Sequence, residues 1–284
     1  MYKRMLVAFD GAETSMEIVR QAARFARSEN SMVDIVTVCP EYQGDLRIQG
    51  DTNVLYDMYD NIRSALNTAV KECEADGVHV RGHFCIGNPT EVLIEHIENL
   101  EADVVALGTH ASQLLQSIVI GSVADAVIRQ TDSDLLVVTG NQELSLERVF
   151  VAYDGSAEAN AAAQEACALA ERYGAVLTAG IAYEMDMEAF SISPVVERSV
   201  VEKTEITVEA IKGIADAHDL REFDVAVRYG NPAHQVLVEE AKQNKAGLIV
   251  IGAGARSKLS HLLVGGVVHK LVYSSDCPVL IVKE

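Results

Sequence analysis

The chain has few basic residues, so its formal charge is strongly one-sided. Only 23 Lys and Arg residues stand against 42 Asp and Glu residues, which gives a formal net charge of -19 at pH 7. Nucleic acids and anionic membranes are bound through cations that neutralise phosphate groups. The shortage of such cations argues against both as partners. Any phosphate ligand must therefore be held mainly by backbone groups and a few local cations.

Long apolar runs and paired cysteines are also missing. No apolar run reaches the roughly 18 residues of a membrane-spanning helix, and the N-terminus lacks the apolar region and cleavage site of a secretory signal. The five cysteines contain no Cys-x-x-Cys pair and do not recur between the halves of the chain. Free thiols of this kind are typical of a reducing compartment. We therefore expect a soluble cytoplasmic protein.

Several catalytic motifs are absent as well. The sequence has no GxxxxGK(S/T) phosphate loop, no GxSxG nucleophile turn and no HExxH zinc motif among its eight histidines. His79 and His83 lie on one face of a predicted strand with Arg81 between them, which favours a solvated strand face over a metal site. These absences argue against a dedicated enzyme.

What the chain does have is a complete internal repeat. Three blocks recur in the same order: residues 7–11 at 151–155, residues 87–98 at 230–241, and residues 106–138 at 250–282. The offset stays at 143 or 144 residues throughout. A repeat of this length indicates tandem globular domains, since solenoid units are only ~20–50 residues long. We expect two copies of one domain, at 1–141 and 146–284, with the linker around 139–147.

Short apolar segments alternate with helical patterns in both copies. In the first copy they predict strands at 5–9, 32–38, 79–85, 104–107 and 135–138. In the second copy the matching strands fall near 149–153, 176–181, 224–228, 248–251 and 278–282. Strands that are apolar almost throughout and alternate with helices are typical of parallel sheets covered on both faces. The predicted fold class is α/β, as two tandem, open, five-stranded parallel sheets of the Rossmann-like kind.

Polar residues and glycines follow two strands of each predicted sheet. Asp10 and Asp154 follow the first strand of their copies, and Gly108 and Gly252 end the fourth. In open parallel sheets, ligands bind beyond the carboxyl ends of the strands, near the point where the strand order reverses. Taken singly, an Asp after a strand is often only a turn residue. Its recurrence in both copies, together with the glycine, favours a binding site.

A second pair of signals lies at two predicted helix starts. Gly121-Ser122 in the first copy and Gly265-Gly266 in the second each precede a helical pattern. Such positions present backbone N–H groups at a helix N-terminus, where the helix dipole favours an anion. The Ser122 hydroxyl can add a donor or contact a bridging metal. Taken alone, a Gly-Ser pair before a helix is more often an ordinary helix cap.

These residues resemble the universal stress protein family. From Gly108 and Gly252, the spacing is similar to the G-x-x-G-(nine residues)-G-(S/T) signature of that family, whose members are adenine-nucleotide-binding α/β domains of the adenine nucleotide alpha hydrolase-like kind. The VAFDG and VAYDG openings, the GNP helix starts and the apolar closing strands are similar too. The resemblance covers nearly all of both copies, so the chain looks like a tandem universal stress protein of the universal stress protein A family.

The resemblance implies a nucleotide site in each copy, at the carboxyl ends of the first and fourth strands. In the first copy its residues are Asp10 and Val38 at the adenosine, with Gly108, Ala111, Gly121, Ser122 and Val123 at the ribose and phosphates. In the second copy they are Asp154, Ile181, Gly252, Ala255, Gly265, Gly266 and Val267, with Arg256 as a cation in the loop. The implied ligand is ATP, with Mg²⁺ as its companion.

Each copy departs from the family signature in its own way. Both have alanine, Ala111 and Ala255, where the signature has its second glycine, and a Cβ there crowds the approach of a phosphate. The first copy keeps Ser122 but has no Lys or Arg in the loop, whereas the second lacks that hydroxyl and carries Arg256 and Lys258. We predict that the first copy is the better ATP site. Stronger phosphate binding through the two cations of the second copy is the alternative.

The sequence as a whole favours a nucleotide-binding stress-response or signalling protein without dedicated catalysis. The resemblance implies that the edges of the closing strands, 135–138 and 279–282, pair the two copies as an intramolecular pseudo-dimer and can pair two chains as a homodimer. The identity of a protein partner stays open. Two other functions remain as alternatives: a slow ATPase or nucleotidyl transferase on the same scaffold, and an interaction scaffold that binds no nucleotide.

Overall fold

The computed structural model describes residues 2–41, 53–108, 110–112, 117–119, 122–138, 143–184, 194–254 and 266–283. The chain divides into two compact units, Met1–His110 with Ile120–Gly140 and Ala111–Val119 with Asn141–Glu284. We call them unit 1 and unit 2. The domain boundaries expected from the repeat, at 141 and 146, stay a prediction.

The first half of the chain forms a parallel sheet with helices between its strands. In chain order its elements are β1 (Arg4–Ala8), α1 (Glu13–Glu29), β2 (Met32–Cys39), α2 (Asn53–Ala75), β3 (His79–Ile86), α3 (Pro89–Asn99), β4 (Val104–Gly108), β5 (His110–Ser112), β6 (Ser117–Val119), α4 (Ser122–Gln130) and β7 (Asp134–Val138). The sheet of unit 1 has the order β7-β4-β1-β2-β3, with every pair parallel. Strands β5 and β6, which were not expected from the sequence, form a separate two-stranded sheet.

The second half repeats this arrangement. Its elements are β8 (Arg148–Ala152), α5 (Ala157–Tyr173), β9 (Val176–Tyr183), α6 (Pro194–Ala215), β10 (Glu222–Tyr229), α7 (Ala233–Gln243), β11 (Leu248–Gly252), α8 (Gly266–Ser274) and β12 (Val279–Val282). The sheet of unit 2 has the order β10-β9-β8-β11-β12, again parallel throughout. The predicted α/β class with two five-stranded parallel sheets is confirmed.

Both units reverse their strand order at the same place. In unit 1 the chain runs from β1 through β2 to β3 on one side and then returns to β4 and β7 on the other. In unit 2 the corresponding reversal lies between β8 and β11. Crossover helices on opposite faces leave a crevice at the carboxyl ends of these strands. The topology therefore places a ligand site next to the first and fourth main strands of each unit.

The central strands carry the core of each unit. Leu6 and Val7 in β1, and Phe150 and Val151 in β8, are fully buried. Because helices cover both faces of these strands, each position requires an apolar residue and the usual alternation of apolar and polar residues is lost. The outer strands β3 and β10 instead mix exposed and half-buried positions, with one buried residue, Ala226, in β10.

Helix ends follow ordinary capping chemistry. Asn88 precedes α3 and its side-chain oxygen accepts a hydrogen bond from the backbone N–H of Thr90 at 3.0 Å, while Pro89 opens the helix where no N–H donor is needed. Helices α1 and α5 end at left-handed residues, Asn30 and Gly174. Within the described ranges, none of the helices combines the length and apolarity needed to cross a bilayer.

Candidate functional site

A cavity of 480 Å³, which we call cavity 1, opens in unit 1 at the carboxyl ends of β1, β2 and β4. Four residues predicted for the first nucleotide site line it: Asp10, Val38, Gly108 and Val123. Apart from Asp10, Ser15 and Cys39, its described lining residues are aliphatic, aromatic, proline or glycine. An apolar cavity with a few polar groups, at the reversal of strand order, is typical of small-molecule sites.

Unit 2 has a smaller cavity of 270 Å³, cavity 2, at the matching ends of β8, β9 and β11. Four residues predicted for the second site line it: Asp154, Gly252, Gly266 and Val267. Its lining includes two carboxylates, those of Asp154 and Glu158, whereas the described lining of cavity 1 includes only that of Asp10. The two cavities therefore differ in size and charge although the fold repeats.

One predicted residue of the second site does not line its cavity. Ile181 is 1% exposed and belongs to the core, while its neighbour Ala182 lines cavity 2. Side chains alternate between the two faces of a strand, so an error of one residue moves a position to the opposite face. The strand registers show that Ala182, not Ile181, holds the place of Val38. Ala182 therefore replaces Ile181 as the candidate at this place, and its role in binding stays a prediction.

Part of the predicted phosphate site falls outside the described residues. This applies to Gly121, Ala255, Arg256 and Gly265, and to the second loop cation, Lys258. Ala111 lies in the described strand β5 and Ser122 begins α4, but only their backbones are described. The roles assigned to all these residues stay predictions.

The two aspartates after the first strands shape the turns that lead into the next helices. Oδ1 of Asp10 accepts hydrogen bonds from the backbone N–H of Ala12 at 2.9 Å and from the hydroxyl of Ser15. Oδ1 of Asp154 accepts one from the backbone N–H of Ser156 at 2.9 Å. A carboxylate near a helix start is also stabilised by the helix dipole. Both aspartates thus have a structural role, and both are exposed at the cavities they line.

Ser15 is a polar group in the wall of cavity 1 but is not among the predicted site residues. Its side chain is buried, with the residue 3% exposed. Its hydroxyl lies within hydrogen-bond reach of both Asp10 and the backbone oxygen of Ala12, at 2.8 Å from the latter. Unit 2 has Ala159 at the corresponding place in α5. The signal was available in the VAFDGAETS segment, because Ser15 lies in the first turn of a helix that starts beside Asp10.

The glycines at the ends of β4 and β11 are required by packing. A Cβ on Gly252 would collide with the backbone carbonyl of Glu158 in α5. A Cβ on Gly108 would collide with the terminal methyl of Ile18 in α1. Each glycine lets the first helix of its unit approach the strand end closely. Packing therefore explains both glycines without any ligand. The lack of a side chain at these positions also opens the cavity wall.

Tyr153 lines cavity 2 at the place that Phe9 holds in cavity 1. Its hydroxyl is 2.6 Å from Oδ1 of Asn160. Burial, with a smaller contribution from the Asp154 carboxylate, raises the pKa of the Tyr153 phenol above its ordinary value. The phenol therefore stays protonated at neutral pH and acts as a hydrogen-bond donor, so it is a poor candidate for a general base.

Of the two histidines of β3, His79 is exposed, whereas His83 is bound to a neighbouring strand. Nε2 of His83 lies 2.7 Å from Oδ1 of Asp34, a fully buried carboxylate on β2, and Nε of Arg4 is 3.7 Å from its other oxygen. Further along β3, Sγ of Cys85 is 3.5 Å from Nε2 of His96 on α3. In the part of the chain that the structure describes, no group of three or more potential ligands could hold a metal ion. These contacts join β3 to the sheet and to α3.

The fold and the cavities together define a class. Each unit is an open, doubly wound α/β domain with a cavity at its strand-order reversal. A family model described as the universal stress protein family matches residues 1–139 and again residues 145–283. The chain belongs to the universal stress protein family, with two domains of that family in tandem.

Individual relatives agree with this assignment. A universal stress protein of Mycolicibacterium smegmatis is 24% identical over 288 residues, which cover 98% of this chain and 96% of the relative. A universal stress protein of Methanocaldococcus jannaschii is 28% identical over 142 residues, or 49% of this chain and 82% of the relative. Among solved structures, a universal stress protein from Archaeoglobus fulgidus has a TM-score of 0.71 at 20% identity, covering 99% of this chain and 98% of the other. At that identity, the structural likeness supports the fold.

Proposed function

We propose that the protein binds an adenine nucleotide, ATP, in cavity 1 and acts as a stress-response or signalling protein rather than as a dedicated enzyme. The observation that supports this most directly is the 480 Å³ apolar cavity at the strand-order reversal of unit 1, with Asp10 in its lining. Membership of the universal stress protein family supports adenine nucleotide as the ligand class.

The volume and lining of cavity 1 suit a nucleoside. Small-molecule sites commonly enclose about 300–1,000 Å³, and 480 Å³ falls within that range. Phe9, Ile18 and Leu93 provide apolar walls against which a flat base can pack. The Asp10 carboxylate can accept a hydrogen bond from an amine or a hydroxyl. This combination favours adenosine over a simple anion as the part held in the cavity.

The phosphates are expected to point toward α4. This nine-residue helix begins at Ser122, and its second residue, Val123, lines cavity 1. Backbone N–H groups and the helix dipole favour an anion at a helix N-terminus. Because no metal-ligand cluster occurs among the described residues, Mg²⁺ would be held mainly by phosphate oxygens and water, as is usual for nucleotide-bound magnesium.

Unit 1 is proposed as the better site because its cavity is larger and less acidic. Cavity 2 measures 270 Å³, and the carboxylates of Asp154 and Glu158 both line it. Like charges near a polyanionic ligand oppose its binding, more strongly where water is partly excluded. In cavity 1, the described lining residues include one carboxylate, that of Asp10, so a bound triphosphate meets less like charge there than in cavity 2.

A matched pair of substitutions tests the assignment to unit 1. Leu93 lines cavity 1 and Leu237 lines cavity 2, and both are nearly buried. Leu93→Trp should fill cavity 1 and weaken ATP binding by at least roughly tenfold, a loss of about 1.4 kcal/mol. Leu237→Trp should leave ATP binding unchanged. Isothermal titration of the full chain measures both; an equal loss in the two variants, or no ATP binding by the wild type, would refute the proposal.

The absence of dedicated catalysis is part of the proposal and has its own test. Incubation of the protein with ATP and Mg²⁺, followed by a phosphate assay, should give no release that depends on cavity 1. Phosphate release that disappears in Leu93→Trp but persists in Leu237→Trp would favour the slow ATPase instead.

Location and assembly belong to the same proposal. The five cysteines are free, which suits the reducing cytoplasm. We propose that the units form an intramolecular pseudo-dimer through the closing strands β7 and β12, and that two chains can pair as a homodimer. Light scattering during size-exclusion chromatography distinguishes a monomer of 30.7 kDa from a dimer.

A further inference from the structure

The last residue of the second main strand differs sharply between the two units. Cys39 ends β2 and lines cavity 1, whereas Tyr183 ends β9 at the same place in unit 2. The equivalence follows from the strand registers, because β2 pairs with β1 as β9 pairs with β8, and each strand end lies three residues beyond the last pair. A cysteine leaves room at this position that a tyrosine ring occupies.

Tyr183 reaches from the strand end to helix α6. Its hydroxyl donates to Oγ1 of Thr207 at 3.1 Å and lies 3.4 Å from the backbone oxygen of Lys203. Its ring stacks on that of Tyr229, with centroids 5.9 Å apart and planes inclined by 24°. The ammonium of Lys203 lies 5.8 Å from the Tyr183 ring centroid, within the range of a cation–π contact. The Tyr183 ring is therefore fixed by contacts with both α6 and β10.

The extent of each cavity matches this difference. Cavity 1 continues past Cys39 to Pro40 and to Ile62 of α2. Cavity 2 includes Ala182 of β9, but no residue of α6 is among its described lining residues. Tyr183 is not itself among the described residues that line cavity 2, but its ring lies between the strand end and α6, on the side where cavity 1 is open. The volumes of 480 Å³ and 270 Å³ agree with this.

In both units, the same three elements form the side of the cavity that faces the long helix. A Cβ on Gly11, in the turn after β1, would lie 3.4 Å from Ile62 of α2. A Cβ on Gly155, in the turn after β8, would lie 3.7 Å from Thr207 of α6. The turn, the end of the second strand and the following long helix therefore meet in each unit. Because Asp10 adjoins this turn, it is the side that holds the base in the proposed function.

We propose that the residue at this strand end determines which unit accepts the base of a nucleotide. Cys39 keeps cavity 1 open toward α2, and Tyr183 closes cavity 2 toward α6. The inference rests on the proposed binding of ATP in cavity 1 and adds a cause for the difference between the units. A single side chain at the base, rather than the loop cations Arg256 and Lys258, then sets the number of nucleotides bound per chain.

The test compares full-length variants that exchange this position between the units. Tyr183→Cys/Tyr229→Ile gives unit 2 the residues that unit 1 has at the matching places, Cys39 and Ile86. Isothermal titration with ATP should find one site per chain in the wild type and two in this double variant. Titration with adenosine should give the same change, since adenosine carries no phosphate for the loop cations to bind.

The reverse change and one control complete the set. Cys39→Tyr should weaken ATP binding at cavity 1 by at least roughly tenfold, since the added ring occupies space that the base needs. Tyr183→Phe keeps the ring but loses the bond to Thr207, so the count should stay at one. If Cys39→Tyr does not fold, judged by circular dichroism, Cys39→Leu replaces it.

The outcomes separate this inference from the proposed function. One site in both the wild type and Tyr183→Cys/Tyr229→Ile overturns the role of Tyr183 while ATP binding in cavity 1 stands. Two sites in the wild type also overturn it. If the wild type binds neither ATP nor adenosine, the proposed function fails. A crystal structure of the double variant then decides the matter: a cavity 2 that extends to Thr207 supports the role of Tyr183, and one that does not refutes it.

Discussion

At the scale of single residues, Asp10 and Asp154 share one structural role but line different cavities. Each carboxylate accepts a hydrogen bond from the backbone N–H two residues further on. Asp10→Ala and Asp154→Ala should each lose about 0.5–2 kcal/mol of stability, as expected for a lost helix-start acceptor. Only Asp10→Ala should weaken ATP binding, by roughly ten- to a hundredfold if a charged hydrogen bond to the ligand is lost.

Urea unfolding and isothermal titration measure these two effects separately. Asp10→Asn serves as the conservative control, because its side-chain oxygen can still accept from the N–H of Ala12 and should preserve most of the stability. Equal losses of ATP affinity in Asp10→Ala and Asp154→Ala would contradict a site confined to unit 1.

The strand-end glycines give a second prediction at this scale. Gly252→Ala should destabilise the protein by roughly 1–3 kcal/mol, because the new methyl meets the backbone of Glu158 and α5 must shift. Gly108→Ala should cost less, since the obstacle is the end of the flexible Ile18 side chain. Gly213→Ala, in α6 with no atom within 4 Å of the new methyl, is the control and should stabilise by up to about 1 kcal/mol. Urea midpoints that rank the variants in another order would refute the packing explanation.

At the scale of elements, helices α7 and α8 meet around a histidine that is sensitive to pH. Burial and the positive charge of Lys270 lower the pKa of His234 below its ordinary 6.5, and the Glu184 carboxylate offsets this in part. The unfolded chain therefore binds a proton near pH 6.5, whereas the folded chain does so only at lower pH. The resulting stability is fully present above about pH 6.5 and is lost as the pH falls through the folded-state pKa.

His234→Gln should make the loss of folding stability between neutral and mildly acidic pH less steep. Urea unfolding at a series of pH values from neutral to mildly acidic checks this by comparing the slopes of the two proteins. Lys270→Gln removes one cause of the lowered pKa and should give an intermediate slope. Identical profiles for the wild type and His234→Gln would exclude this histidine as a source of the pH dependence.

The comparison of the two halves also shows which elements could be predicted from the sequence. The buried strands were predictable because their residues are apolar almost throughout and polar turn residues follow them, as Asp10 follows β1. Asp154 was located in the same way. The short strands β5 and β6 were not predicted, because three-residue strands carry too little pattern to separate them from a loop.

Contacts between distant segments could not be read from the chain. Tyr183 contacts Thr207 only because α6 lies opposite the end of β9, and Ser15 lines cavity 1 only because α1 folds back over the sheet. Even where the predicted element is right, the expected residue Ile181 lies one position away from Ala182, which lines cavity 2. The local residue pattern therefore predicts where a strand lies, but only the strand-pairing register shows which face of the sheet each side chain is on.

The same limit applies to the side-chain contact that joins the outer strand of each unit to the next helix, because the two units use different residue types for it. Arg228 on β10 and Glu240 on α7 are joined by an ion pair with a shortest distance of 2.6 Å. The corresponding contact of unit 1 is that between Cys85 on β3 and His96 on α3, at 3.5 Å. Both pairs fasten an outer strand to the helix that follows it. The contact is therefore retained between the units even though neither residue type is.

At the scale of the whole molecule, the two units should respond differently to ATP. The chain has no Trp, so a single introduced Trp reports the unfolding of the unit that carries it. Phe84 in unit 1 and Tyr173 in unit 2 are half-buried and line neither cavity, which makes Phe84→Trp and Tyr173→Trp a matched pair of probes. ATP at about 100 times its Kd should add about 2.7 kcal/mol to the stability of the unit that binds it.

Thermal unfolding followed by Trp fluorescence should therefore show a midpoint raised by roughly 5–10 °C in Phe84→Trp and an unchanged midpoint in Tyr173→Trp. The physical reason is that a ligand stabilises only the cooperative unit in which it is bound. A shift confined to Tyr173→Trp would place the nucleotide in unit 2 and contradict the proposed site. Equal shifts mean either that both cavities bind ATP or that the two units unfold as one. The stoichiometry from isothermal titration separates these cases, because only the first requires two ATP molecules per chain.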